Sequence, residues 1–252
     1  MPYVERCLYL LRVLGLTSMQ KIFRELARRG VDTSRMRALE VYGAKGELHT
    51  QDYARQVGSL EVWESKAELE PDLRRNLPGA MVRIVDSYRQ IRETREKFDL
   101  VVVDNPAFTH DGHVEHFDLF PHVLRILRTP GVLIVNMLPT AGPSLRSRFP
   151  SLFNNLHLRR REEFYGASDP GDISWERILG AYQSFLAAEG LNLDWHFIQH
   201  RAGALKWLPI RSSFLLSIRY LVLGTTARGR AGDRDSQRPL QEGAVRQSGF
   251  RD

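Results

Sequence analysis

Between residues 37 and 64 the chain reads RALEVYGAKGELHTQDYARQVGSLEVWE, and this stretch constrains the fold more than any other. An apolar run (Ala38, Leu39, Val41) ends in a small-residue turn, Gly43-Ala44-Lys45-Gly46. A helix-like segment follows from about Thr50, and a second apolar run, residues 60–63, stops at Glu64. The pattern predicts a strand, turn, helix, strand unit with a glycine-bearing first turn and an acid closing the second strand. Chemically such a unit suits a nucleoside. Glycine lets backbone approach a ligand, a helix N-terminus offers unpaired N–H groups, and a carboxylate accepts from ribose hydroxyls.

The segments on either side extend the same logic. Residues 2–15 carry Val4, Leu8, Leu11 and Val13 at helical spacing. A second helix is expected after a Thr17 or Ser18 cap, through Ile22, Phe23 and Leu26 to a stop at Gly30. Beyond Glu64, residues 66–76 read as a short helix closed by Pro78-Gly79, and residues 81–85 as a third strand ending at Asp86-Ser87. A helix is expected over 88–97, which Asp86 or Ser87 could cap. Residues 99–103 are a continuous β-branched run, the mark of a strand buried on both faces of a parallel sheet. The run ends at Asp104, and a helix through Phe117, Phe120, Val123, Leu124 and Leu127 is expected before a fifth strand at 132–136. Residues 139–172 read as loop and short helices, and residues 175–189 as a helix. Residues 191–197 and 214–220 alternate as an antiparallel pair at one sheet edge.

Four strands thus end in acids: Glu40, Glu64, Asp86 and Asp104. Ligands of open α/β sheets sit outside the carboxyl ends of strands, where these acids fall. The series, with the RILRTPGVLIV phrase entering strand five, resembles the class I S-adenosylmethionine-dependent methyltransferases over residues 37–224. The family's acidic-x-Gly-x-Gly-x-Gly motif appears here as Glu40-Val41-Tyr42-Gly43-Ala44-Lys45-Gly46, with Tyr42 and Ala44 at the first two glycine positions. The resemblance implies a doubly wound, mostly parallel α/β sheet of seven strands, helices on both faces and the last strand antiparallel. It implies S-adenosyl-L-methionine as cofactor, with Glu40, Gly43, Ala44, Gly46, Glu64, Asp86, Ser87 and Asp104 around it. Within that set Glu64 is expected at the ribose, Asp86 at the adenine, and the 43–46 turn at the methionine end.

Methyl transfer needs alignment and, for a hydroxyl acceptor, removal of a proton. The segment DNPAFTHDGHVEH, residues 104–116, starts at Asp104 and repeats histidine at His110, His113 and His116; Asp104, His110 and His113 are the catalytic candidates. Two other readings share this region. Asp104 and Asn136 loosely resemble metal-ligand positions of catechol-type O-methyltransferases, but the further aspartate is missing and HxxHxxH is not a zinc spacing, so no metal is assigned. Asn105-Pro106-Ala107-Phe108 resembles the Asn-Pro-Pro-aromatic motif of enzymes that methylate exocyclic amines. An aminopropyltransferase like spermidine synthase, and a non-catalytic module in which Tyr42 fills the cofactor slot, are the remaining alternatives.

Composition narrows the setting. With 252 residues and 42% hydrophobic content the chain can bury a full core. A single cysteine, Cys7, excludes an internal disulfide framework, and Glu5, Arg6 and Arg12 break any signal-like run; a cytoplasmic protein without a membrane segment is expected. The net charge is +6, and Arg159-Arg160-Arg161, followed by Glu162-Glu163, reads as a solvated face. With no basic-aromatic stripe, the expected acceptor is a small hydroxylated metabolite or glycan rather than nucleic acid. The expected organisation is N-terminal helices over 1–36, the sheet domain over 37–226, and a disordered tail over 227–252.

Overall fold

The computed structural model describes residues 11–47, 49–104, 109–140, 142–150, 153–200 and 218–228. Seven strands form one sheet: β1 (Arg37–Glu40), β2 (Ser59–Glu64), β3 (Met81–Ile84), β4 (Phe98–Val103), β7 (Leu127–Met137), β8 (Leu191–His200) and β9 (Arg219–Ala227). Two short strands, β5 (Thr109–His110) and β6 (His113–Val114), make a separate hairpin. The order across the sheet is β3-β2-β1-β4-β7-β9-β8. Strands β3, β2, β1, β4 and β7 run parallel to one another, and β9 runs antiparallel to both β7 and β8. The chain winds outward from β1 to β3, then crosses back to place β4 on the other side of β1. A crevice therefore opens where β1 and β4 diverge.

Period-two alternation divides the core. Leu39, Val101, Val103, Leu133 and Val135 face one side, against Ile178, Tyr182 and Leu186 of the helix Trp175–Ala188. Ala38, Leu100, Val102, Val132 and Ile134 face the other, against Met19, Ile22, Phe23 and Leu26 of the helix Ser18–Arg28. That helix starts where Thr17 and Gln20 form a reciprocal cap. Both faces are thus covered by helices, as expected for a mostly parallel sheet. Among the described residues no helix is long and apolar enough to cross a membrane.

Three elements differ from expectation. The segment after the glycine turn forms two 3₁₀ turns, Thr50–Asp52 and Ala54–Gln56, separated at Tyr53 (φ −128°, ψ −12°). Tyr53 leaves the helical region while its ring lies buried, stacked on Phe23. The helix expected through 117–127 is a 3₁₀ turn, Phe117–Leu119, and a four-residue helix, His122–Arg125. Pro121 lacks an N–H and holds Phe120 extended (ψ 142°), which breaks the run. The final strand begins at Arg219, later than the alternating pattern suggested, because β9 lies between two strands and its residues 220–225 are buried continuously rather than alternately. Residues 214–217 lie outside the described residues, as do residues 1–10 of the first expected helix and 229–252 of the expected tail.

Candidate functional site

The crevice between β1 and β4 is lined by acids on one face of the sheet. Glu40 ends β1 and is 1% exposed; its Oε2 accepts from the Tyr53 hydroxyl at 2.6 Å. Burial, then the neighbouring Asp104 carboxylate, push the Glu40 carboxyl well above its ordinary range. Asp104 follows β4. It accepts from Asn136 Nδ2 at 2.8 Å and from the Tyr220 hydroxyl at 2.9 Å, and His49 Nε2 lies 3.7 Å from its Oδ2. Asn136 and Tyr220 are register partners of β7 and β9, so three successive strand ends hold one carboxylate.

The glycine turn is built around β2. Gly46 N–H donates to the Gly43 carbonyl at 2.8 Å, closing residues 43–46, with Ala44 at φ 44° and Gly46 at φ 70°. A Cβ on Gly43 would lie 2.4 Å from Val62 Cγ1, so packing on β2 requires glycine here. Glu64, at the end of β2, accepts from Ala44 N at 2.7 Å and from Lys66 N at 2.9 Å. Its carboxylate fixes the turn against the strand it terminates. Tyr42, between β1 and the turn, packs its ring 5.9 Å from that of Tyr88.

Asp86 is exposed and caps the helix Ser87–Glu93, with Oδ1 taking both Tyr88 N (2.9 Å) and Arg89 N (3.4 Å). Ser87 is buried and donates to the Val41 carbonyl at 2.6 Å, which ties that helix to the end of β1. Glu40 and Asp104 therefore meet at the crevice. Gly43, Ala44, Gly46 and Glu64 gather at the turn, and Asp86 and Ser87 open the neighbouring helix.

The histidine series separates. His113 stacks on Tyr88 at 3.5 Å with its Nδ1 on Asp118 at 2.8 Å, whereas His116 is wholly buried beside Phe117, Phe120, Phe164 and Tyr182. His116 bonds the Tyr182 hydroxyl, and burial lowers it to about 4, so it is neutral at physiological pH. His110 lies in β5; its side chain, and residues 105–108 with the Asn-Pro-Ala-Phe motif, fall outside the described residues. Among the described residues no group of three or more His, Cys, Asp or Glu side chains could hold a metal ion.

Sequence reasoning missed a buried ionic cluster. Glu115 Oε1 accepts from Arg161 Nη1 at 2.6 Å and lies 3.0 Å from His157 Nε2, with all three residues 0–2% exposed. The arginine run is thus only partly a solvated face: Arg159 and Arg160 pair with Glu163, while Arg161 turns inward. His157, Arg161 and Tyr165 stand four apart on the helix Asn155–Tyr165 and are its buried stripe, the signal that the run of charges obscured.

With the geometry in view, the fold can be placed. A seven-stranded sheet ordered β3-β2-β1-β4-β7-β9-β8 with β9 reversed is the fold of the class I S-adenosylmethionine-dependent methyltransferases, the class the sequence resembles. No protein-family model matches the chain, and no curated protein matches it. Among solved structures it is similar to M. jannaschii TYW2 in complex with AdoMet, at 11% identity over 82% of this chain and 75% of that one (TM-score 0.49). It is also similar to the N-methyltransferase NodS from Bradyrhizobium japonicum WM9, at 14% identity over 83% and 97% (TM-score 0.47).

The residues at the crevice fit a cationic nucleoside cofactor. The Glu40 carboxyl lies buried beside a second carboxylate, so a positive charge placed near the pair would be favoured. S-adenosylmethionine carries a sulfonium and an ammonium.

Proposed function

We propose that this chain is an S-adenosylmethionine-dependent methyltransferase acting on a small hydroxylated or glycan-type acceptor. The observation that carries the reading is the buried Glu40 carboxyl beside Asp104, at the point where the strand order reverses. Bound there, the cofactor supplies an electrophilic methyl group. In this reading the 43–46 turn receives its methionine end, Glu64 its ribose hydroxyls and Asp86 its adenine. Asp104, held by Asn136 and Tyr220, faces the acceptor. We place the protein in the cytoplasm.

The test is methyl transfer from labelled S-adenosylmethionine to neutral sugars, polyols and phenols, with RNA alongside. Label on a hydroxylated small molecule supports the reading. Label on RNA alone would overturn the acceptor class.

One observation favours a second reading, a non-catalytic module on the same fold. The Glu64 carboxylate already serves the Ala44 and Lys66 amides, and Tyr42 stands beside the turn. That reading requires no affinity for the cofactor.

A further inference from the structure

Arg12 precedes the sheet in sequence, yet its side chain is built into the segment that follows the glycine turn. Its Nη2 donates to the Glu47 carbonyl at 2.7 Å, its Nη1 to Gln51 Oε1 at 2.9 Å, and its Nε to the Asp52 carboxylate. These three acceptors bracket His49 on both sides. A planar guanidinium fork serves them in fixed directions, whereas a lysine ammonium is a point charge without that spread. Arg12 is itself anchored. Its carbonyl accepts from Gln20 Nε2 at 2.9 Å and from Gly15 N at 3.0 Å. Gln20 belongs to the reciprocal cap of the helix Ser18–Arg28, whose Met19, Ile22, Phe23 and Leu26 pack on the sheet.

The segment it grips has little regular structure to hold it. In place of a helix there are two 3₁₀ turns, with Asp52 N on the His49 carbonyl at 3.0 Å and Tyr53 N on the Thr50 carbonyl at 3.2 Å. The same segment carries two side chains to the crevice. The Tyr53 hydroxyl reaches Glu40 at 2.6 Å, and His49 Nε2 lies 3.7 Å from Asp104. A second hold comes from Asn76. Gln51 Nε2 donates to the Asn76 carbonyl at 3.2 Å, and Asn76 Nδ2 donates to the Lys45 carbonyl at 2.8 Å. Asn76 thus ties the segment to the turn itself, and Arg12 ties it to the helix that covers the sheet. A pair with Asp52 alone would be an ordinary salt bridge; bonds to residues 47, 51 and 52 together fix where the segment lies.

We propose that Arg12 is a positioning residue of the crevice: it clamps residues 47–53, and through them holds the 43–46 turn, Tyr53 and His49 where a ligand meets them. The N-terminal segment is therefore part of the site, not a separate cap on the fold. That the ligand is S-adenosylmethionine rests on the methyltransferase reading; the clamp itself does not.

Hydrogen–deuterium exchange on the full chain tests the clamp, with Arg12→Gln and Arg12→Lys beside wild type and S-adenosylmethionine titrated into all three. In Arg12→Gln, amides of residues 43–53 are expected to exchange about tenfold faster, while those of β4 and β7 stay within about twofold. S-adenosylmethionine affinity should fall by about fivefold or more, and Arg12→Lys should recover part of both effects. If Arg12→Gln does not fold, Arg12→Lys decides alone, with the same local release in smaller degree. Unchanged exchange over 43–53 overturns the proposal, as does equal acceleration throughout the sheet, which would make Arg12 a support of the whole fold. Local release with unchanged cofactor affinity overturns it too, since the clamp would then not serve the site. Local release in a chain whose wild type binds no S-adenosylmethionine keeps the clamp and removes the methyltransferase reading.

Discussion

The Arg161 guanidinium donates to the Glu115 carboxylate at 2.6 Å with both side chains essentially inaccessible to water. This pair joins the segment after the β5–β6 hairpin to the helix Asn155–Tyr165, two parts of the chain that share no sheet. Burial alone would raise the Glu115 carboxyl; Arg161 and His157 outweigh it and bring the group down to about 2. Its folded value is depressed, so its contribution is present above the ordinary carboxylate value of 4.5 and is lost as pH falls toward 2. The contribution is about 3 kcal/mol at neutral pH. Arg161→Met, which strands the carboxylate, should cost about 3–5 kcal/mol at pH 7 and progressively less below pH 4. Urea unfolding at the two pH values checks this; a cost that does not change with pH would contradict it.

Glu40 carries the opposite sign. Its folded value is raised by burial and by Asp104, so the stability it confers is complete below the ordinary carboxylate value and is lost as pH rises through the folded value. Glu40→Gln retains an oxygen for the Tyr53 hydroxyl and removes the ionisation. The variant should match wild type near pH 5 and exceed it in stability near pH 9. Chemical denaturation at both pH values reads this out, and a pH-independent difference would refute the assignment. The same variant should bind S-adenosylmethionine more weakly, since the residue costs stability where it attracts a cation.

Ala44 stands at φ 44°, in the left-handed region, at the position where the class motif has glycine. Relief of that strain is opposed by the larger unfolded-state entropy of glycine. Ala44→Gly should therefore raise stability by about 0.5–1 kcal/mol, seen as a higher denaturation midpoint with an unchanged slope. A lower midpoint would mean that the turn is relaxed as it stands.

Much of this architecture is legible in the sequence. Strand β4 announces itself because a parallel strand buried on both faces is continuously apolar, as residues 100–103 are. The same rule explains the misplacement of β9. An alternating pattern marks a half-buried strand, whereas β9 is covered on both faces, and its apolar run at 220–223 was the better signal. The site was less legible because its partners come from far along the chain. Tyr53 reaches Glu40 only because a helix is broken there, and Tyr220 reaches Asp104 only because β9 enters between β7 and β8. Single-residue periodicity carries no information about either contact. Gly43 adds a packing demand that the sequence does not show: a Cβ there would meet Val62 Cγ1 of the neighbouring strand.

The central claim is that the turn and strand ends hold S-adenosylmethionine, and calorimetric titration of the purified chain with that ligand and its demethylated product tests it most directly, with Glu64→Ala in parallel. The account predicts micromolar binding by wild type and a loss of about 1–3 kcal/mol in the variant, from the charged hydrogen bonds to ribose that it removes. Absence of binding at millimolar ligand, or an affinity unchanged by Glu64→Ala, would contradict it.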